Sequence, residues 1–182
     1  MRLTPEIHGA APIHSEPAAF LQAFGRRASA GLLAARPHPR SNYTVTQPGA
    51  DHLHVHAADW RTAIAVGLNE VDLVIAPAGT VRYQVQYWRW ATYVLGIGGV
   101  LGAVGALLLL IYDVGGYIAR YPERTVPGLS VRQTLLIAWA MVVFWGFLWP
   151  WILIGIYKTP LRRLMTRLIN EVDAVAGGWP QA

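Results

Sequence analysis

The sequence contains no cysteine and few charged residues. Without cysteine, the chain has no disulfide, no thiolate nucleophile, no cysteine-ligated zinc and no iron–sulfur cluster. Charged residues make up 14% of the 182 positions, whereas soluble domains contain about 25%. Hydrophobic residues make up 54%. This composition excludes a disordered polypeptide and argues against an ordinary water-soluble enzyme.

Two uncharged stretches are each long enough to cross a bilayer. Residues 91–112 and 134–157 contain no charged side chain, and as α-helices they would extend about 33 and 36 Å. We predict a transmembrane helix in each, joined by a connecting loop at 113–133. The residues before the first stretch contain no basic segment followed by an apolar run, so we expect no cleaved signal peptide.

Arginine and lysine are more numerous on the terminal side of the predicted hairpin. Six of them lie near the span ends on that side, against three in the loop. The positive-inside rule therefore predicts that both termini are cytoplasmic. We further expect the protein to lie in the inner (cytoplasmic) membrane of a bacterium. The residues predicted to contact the membrane surface are Trp88, Arg89, Trp90, Lys158, Arg162, Arg163 and Arg167.

Small residues and tryptophans in the two spans are suited to helix packing. Gly98, Gly102 and Ala106 follow one another at intervals of four residues, which lets another helix approach closely, either from the same hairpin or from another protein. Pro150 predicts an interrupted hydrogen-bond ladder and a kink in the second span. Its tryptophans are expected to pack against lipid, another helix or a pigment-like cofactor, with plain packing preferred and no cofactor predicted. The predicted packing residues are Gly98, Gly102, Gly105, Ala106, Trp145 and Trp149.

Residues 42–90 alternate between apolar and polar side chains in short segments, a pattern typical of β-strands. Turns containing glycine and proline separate these segments, which predicts a small antiparallel meander. The predicted strands lie at residues 43–45, 52–56, 71–75 and 81–87, with a further strand rather than a short helix at 60–66. Residues 1–41 are predicted to be an extension with one short helix, from residue 17 to about residue 35.

An amphipathic helix is predicted at residues 159–176, after the second span. Thr159 and Pro160 supply an N-cap and a first-turn proline, and Ser130 with Gln133 forms a capping-box signature at the start of that span. The apolar face of the tail helix lies either on the membrane surface or on the N-terminal domain. The predicted fold is thus an α+β membrane protein. Its small sheet is expected to rely on the helix at 17–35, the tail helix or the membrane surface to cover its apolar face.

Three histidines, His52, His54 and His56, project from one face of a predicted strand. Imidazoles bind zinc, nickel or copper, but alternate residues on a strand lie about 6.5 to 7 Å apart. A solvated polar face is therefore the preferred interpretation. Motifs of serine hydrolases, zinc proteases, P-loop proteins and dinucleotide-binding proteins are absent from the sequence. The basic residues flank the spans, which explains the positive charge without nucleic acid.

These observations predict a non-catalytic integral membrane protein, serving as an accessory, assembly or scaffold subunit of a larger membrane complex. The expected partners are the lipid bilayer and other membrane protein subunits or further copies of this chain. The alternative is a membrane-anchored metal or ligand sensor, or an enzyme, that uses the three histidines. A pore formed by several hairpins would need a polar lining that the two spans lack.

Overall fold

The computed structural model describes residues 4–31, 43–77, 79–121 and 128–178, which form an α+β structure. The strands are β1 (Glu6–Pro12), β2 (Tyr43–Gly49), β3 (His52–Ala57), β4 (Glu70–Ala76) and β5 (Thr80–Gln86). The helices are α1 (Pro17–Ser29), α2 (Trp60–Val66), α3 (Trp88–Ile111), α4 (Val114–Arg120), α5 (Val131–Val143) and α6 (Trp149–Ala176), with a π-helical segment (Phe144–Leu148) between the last two.

The chain divides into two compact units. The sheet unit comprises the residues up to Thr92 together with those from Ile156 onward, and the helical unit comprises Tyr93–Gly155. The sheet unit is therefore built from both ends of the chain. Its five strands are all antiparallel, in the order β1-β5-β4-β3-β2. Strands β2 to β5 form the predicted meander.

Strand β1 corrects the prediction for residues 1–41, which included a helix but no strand. It pairs with β5 so that Glu6 lies opposite Gln86 and Pro12 opposite Thr80. Gly9 makes this pairing possible, because a Cβ at that position would overlap the ring of Tyr83. Predicted helix α1 is present but ends at Ser29 rather than near residue 35, because Ala30 is its C-cap and Gly31 follows in the left-handed region with φ of +77°. Residues 32–35 of the predicted range lie outside the described residues.

One face of the sheet is buried and the other is open, as the alternation along β3 and β4 requires. The C-terminal part of α6 belongs to the core of the sheet unit, which resolves the two alternatives for the tail helix in favour of packing on this domain. The buried side chains come from the sheet (Ile7, Leu53, Val55, Val71, Leu73, Val81, Val85), from α1 (Phe20, Leu21, Phe24) and from α6 (Leu161, Met165, Leu168, Ile169, Val172).

Hydrogen bonds fix this end of α6 to the turn between β1 and α1. The Asp173 carboxylate accepts hydrogen bonds from the backbone N–H of His14 (3.0 Å) and of Ser15 (2.9 Å), and from the Ser15 hydroxyl (2.6 Å). Partial burial raises the pKa of Asp173, but the hydrogen bonds from Ser15 and His14 outweigh that effect and lower it below the ordinary value. Arg27 and Glu171 form an ion pair at 2.7 Å. The two chain ends are thus joined through polar contacts as well as apolar packing.

Residues 60–66 form helix α2, so the predicted strand at this position is wrong. The Asp59 carboxylate caps the helix by accepting a hydrogen bond from the backbone N–H of Thr62 at 2.7 Å. Gly67 ends it in the left-handed region, with φ of +75°. A side-chain cap followed by a glycine stop is a strong local helix signal, and it prevails over the short alternation of apolar residues.

Two helices are long and apolar enough to cross a membrane: α3, and the continuous helix from Val131 to Ala176 that includes the π-helical segment. The capping box at Ser130 and Gln133 is confirmed. The region predicted as a connecting loop at 113–133 contains helix α4, capped by Asp113, and its residues 122–127 lie outside the described residues.

The helical path at Pro150 and Pro160 differs in part from the prediction. The predicted interruption near Pro150 is present as the π-helical segment, which ends at Leu148, two residues before the proline. Proline at 150 cannot donate to the carbonyl of Gly146 and its ring crowds that carbonyl, and a wider turn accommodates this conflict. The predicted start of a new helix at Thr159 is wrong, because α6 continues through Pro160 without a break.

Candidate functional sites

The glycine face of α3 forms a close backbone contact inside the helical unit. Gly98 and Gly102 are buried, and a Cβ placed on Gly102 would lie 2.9 Å from the Cα of Gly146. A Cβ on Gly105 would lie 3.0 Å from Cγ2 of Val142. Of the two partners left open by the sequence, the structure therefore shows the helix of the same hairpin. Gly146 was not predicted, although it is a lone glycine among bulky aromatic residues.

The predicted tryptophans form a separate aromatic cluster along the second helix. The rings of Trp145 and Trp149 are 5.1 Å apart, and Phe144 lies 5.3 Å from the first and 6.0 Å from the second. Trp145 is 49% exposed, and the side chains at the glycine face are instead those of Val142, Phe147 and Pro150. The predicted glycines and tryptophans thus occupy different places. Ala106 is half-buried on α3.

The two long helices of the helical unit leave most of their apolar side chains exposed. Only 11% of the most apolar part of α3, and 17% of that of the second helix, is buried within the protein. A groove of about 370 Å³ on α3 is lined by Tyr93, Gly96, Ile97, Val100 and Leu101. Other exposed apolar side chains on this unit include Val104, Leu107, Leu108, Leu110, Ile137, Met141, Phe147, Leu148, Trp151 and Ile152.

The three predicted histidines line the open face of the sheet, and an acidic residue from the neighbouring strand joins them. Asp72 lies opposite His54 in the register of β3 and β4. Its Oδ1 is 2.6 Å from His54 Nδ1 and 3.6 Å from His52 Nε2, while the rings of His54 and His56 are 5.9 Å apart. Within the described ranges, no three His, Asp or Glu side chains are arranged to hold a metal ion.

Asp72 was missed by the sequence analysis because its role depends on strand register. Its polar position within an alternating strand was visible, but the residue opposite it was not. On the far side of Asp72, an open cavity of about 560 Å³ runs across to β5 and β1. Its lining residues are His8, Gly9, Ala10, Asp72, Val74, Arg82, Tyr83 and Gln84. The open face therefore offers both positive and negative groups to a polar ligand.

The residues predicted at the membrane surface fall into two groups. Trp88, Arg89 and Trp90 form the first turn of α3, where the guanidinium carbon of Arg89 lies 5.4 Å from the ring centre of Trp88. Trp90 stacks on Tyr157 with ring centres 4.0 Å apart. The second group follows Tyr157 along α6: Lys158 is half-buried, and Arg162, Arg163 and Arg167 are exposed.

Comparison of the chain with protein-family models, with curated proteins and with solved structures finds no significant match. Its function is therefore inferred from its own residues and geometry.

Proposed function

We propose that this protein is a non-catalytic integral membrane protein of the bacterial inner membrane, acting as an accessory, assembly or scaffold subunit of a larger complex. The observation that carries the proposal is the helical unit itself. Two long apolar helices pack against each other through glycine backbones and leave most of their other apolar side chains exposed. In water this surface would be strongly unfavourable, whereas lipid or other membrane helices can cover it.

The chemistry of the spans supports a binding role. Residues 91–111 and 134–157 contain no Asp, Glu, His, Lys or Arg, the groups from which proton relays and coupled-ion sites in membranes are built. Exposed aromatic rings and the groove beside Gly96 instead offer a surface for close packing. Dispersion contacts of this kind hold membrane helices together. Other membrane protein subunits or further copies of this chain are the proposed partners.

The proposed orientation places both termini, and with them the sheet unit, in the cytoplasm. Arg162, Arg163 and Arg167 support this orientation because all three are exposed on α6, shortly after the second span. Exposed arginines at this position suit the anionic headgroups of the cytoplasmic leaflet.

Gentle extraction in detergent, followed by native sizing and mass spectrometry of co-purifying chains, tests the proposal. We expect a complex larger than one chain that contains other membrane proteins or several copies of this one. A Gly102→Leu variant should insert normally but lose that complex, because the larger side chain separates the helices. A single, monodisperse chain without partners would contradict the proposed role, and recovery of the protein in the soluble fraction would contradict the proposed membrane location.

A second candidate function is ligand or metal sensing by the open face of the sheet. The observation that favours it is the shared contact of His52 and His54 with one oxygen of Asp72. If it is correct, changing His52, His54 and His56 to Gln should abolish metal or ligand binding, while His14→Gln, outside this face, should not. Equal metal content in untagged wild type and triple variant would exclude the metal sensor.

A further inference from the structure

Helix α2 of the sheet unit contacts, at its N-terminus, the residue that begins the first long helix. Trp60 is the first residue of α2 and Trp88 the first residue of α3. Their rings meet edge to face with centres 5.8 Å apart. The guanidinium carbon of Arg89 lies 5.8 Å from the ring centre of Trp60 and 5.4 Å from that of Trp88, and its Nη1 donates a hydrogen bond to the Ala57 carbonyl at 3.1 Å.

The C-terminus of α2 contacts the residue that ends the second uncharged stretch. The Tyr157 hydroxyl donates a hydrogen bond to the Val66 carbonyl at 3.3 Å. Gly67 lies so close to the same ring that a Cβ there would overlap it. Tyr157 also stacks on Trp90 of α3. Both ends of α2 are therefore held by aromatic residues that border the two apolar stretches.

These contacts determine the depth of α2 relative to a bilayer. If the apolar stretches span the hydrocarbon core, the aromatic residues at their ends lie at the level of the headgroups. Trp60 touches Trp88, and Val66 touches Tyr157, so the two ends of α2 lie at that same level and the helix runs along the surface. Its outward residues suit this place, because Trp60 is 47% exposed and Arg61 and Ala65 are exposed beside it.

We propose that α2 lies in the headgroup region of the bilayer that the long helices cross, with Trp60 inserted as an anchor and Arg61 facing the lipid phosphates. Trp prefers this interface, and arginine there gains from anionic lipid. Three parts of the sheet unit would then contact the lipid surface: Trp88 at the start of α3, Trp60 at the start of α2, and Tyr157. This inference rests on the proposed membrane location.

The absence of cysteine from the wild-type chain makes a direct test simple. A nitroxide label is attached to a single cysteine in the full chain, at Ala65→Cys on α2, Ala50→Cys at the opposite end of β3, or Leu108→Cys in α3. The protein is placed in vesicles of phosphatidylcholine and phosphatidylglycerol. Electron paramagnetic resonance then measures collision of each label with oxygen, which concentrates in lipid, and with a water-soluble nickel chelate.

We expect the label at position 108 to collide mainly with oxygen and the label at position 50 mainly with nickel. The label at position 65 should show nickel accessibility several-fold below that at position 50. If the label at 65 behaves like the label at 50 while 108 is in lipid, α2 is in water and the inference is overturned, although the membrane location stands. If the label at 108 is also accessible to nickel, the membrane location fails as well.

A second variant tests the anchor itself. In the Ala65→Cys background, Trp60→Ala should raise nickel accessibility toward the value at position 50, because the ring that holds α2 at the interface is lost. Val74→Ala, which shortens another exposed apolar residue in the sheet unit, should leave it unchanged. No effect of Trp60→Ala would overturn the role of Trp60 as an anchor.

Discussion

Replacing Gly102 by alanine tests the backbone contact in the helical unit. The added Cβ would lie 2.9 Å from the Cα of Gly146 and 3.0 Å from Cε2 of Phe147, well inside the 3.5 to 4.0 Å at which carbon atoms attract most strongly. The Gly146 backbone cannot rotate away, so the helices must separate. Such overpacking costs about 1 to 3 kcal/mol. Alanine also favours a helix by up to about 1 kcal/mol over glycine, which offsets part of the cost.

Gly99→Ala provides a matched control three residues away on the same helix. Among the described residues, no atom beyond the adjoining backbone of α3 itself lies within 4 Å of a Cβ at this position, so only the gain in helix propensity remains. The two variants should differ by the overpacking term alone. Since about 1 kcal/mol corresponds to roughly 2 to 4 °C in a chain of this size, Gly102→Ala should melt about 2 to 12 °C below Gly99→Ala.

The measurement is thermal unfolding in detergent, followed by tryptophan fluorescence, with membrane abundance as a check on insertion. Gly105→Ala should fall between the two, because its Cβ meets the Val142 side chain, which can move more easily than backbone. Gly102→Ala and Gly99→Ala should both be as abundant in membranes as wild type. A melting temperature for Gly102→Ala equal to or above that of Gly99→Ala would refute the close contact.

Three further predictions concern the sheet unit. Because the pKa of the Asp173 carboxyl is lowered in the folded state, this carboxylate stabilises the fold above its unfolded pKa of about 3.9, and the stabilisation is lost as the pH falls through the lower folded pKa. Urea titrations at decreasing pH should show this loss of unfolding free energy in wild type and a smaller loss in Asp173→Asn. Gly67→Ala should lower the free energy of unfolding by more than the about 1 to 2 kcal/mol that left-handed backbone strain costs, because the added Cβ also overlaps Tyr157. Gly178→Ala, with φ of +70° and no described atom within 4 Å of its Cβ, should lose only the strain energy in the same urea denaturation assay. Burial, and to a smaller extent the nearby Tyr157, raises the pKa of Tyr87 to about 12. Wild type should therefore lose stability as the pH rises from about 10, the unfolded pKa of tyrosine, toward 12. Urea unfolding across this pH range should show a smaller loss of stability for Tyr87→Phe.

Local pattern was sufficient to predict the elements whose burial is set by their own sequence. A half-buried strand must alternate, and Leu53 with Val55 on β3 and Val71 with Leu73 on β4 do so. The two apolar helices were likewise evident from the lack of charge over more than 20 residues. In both cases the pattern that predicts the element is contained within a single segment.

The elements that were missed depend on distant residues or on competing local signals. Strand β1 contributes few apolar residues of its own and is formed by pairing with β5, whose paired residues lie about 70 to 80 positions later in the chain. For α2, the cap at Asp59 and the stop at Gly67 are present in the sequence, but the alternation of Ile64, Val66 and Leu68 favoured a strand. At Thr159 and Pro160 the start signal was overridden, since α6 was already helical before it reached them.

The candidate sites show the same division. The spacing of Gly98 and Gly102 predicted a close approach, but their partner Gly146 follows from the way two helices align, which spacing within one helix does not specify. In the sheet, the three histidines were placed on one face by alternation alone. Asp72 joined them only through the register of β3 with β4, which a single strand does not encode.

Because the sheet unit is closed by Leu161, Met165 and their neighbours on α6, its core cannot be completed when β5 leaves the ribosome. Residues 87–172 must be synthesised first, which takes about 4 to 17 s at about 5 to 20 residues per second. During that interval the face of the sheet that α6 covers is unprotected. Biogenesis therefore has a required order, in which both apolar helices are made before the N-terminal half is finished. A nascent chain stalled after β5 should accordingly engage chaperones and be cleaved readily by proteases.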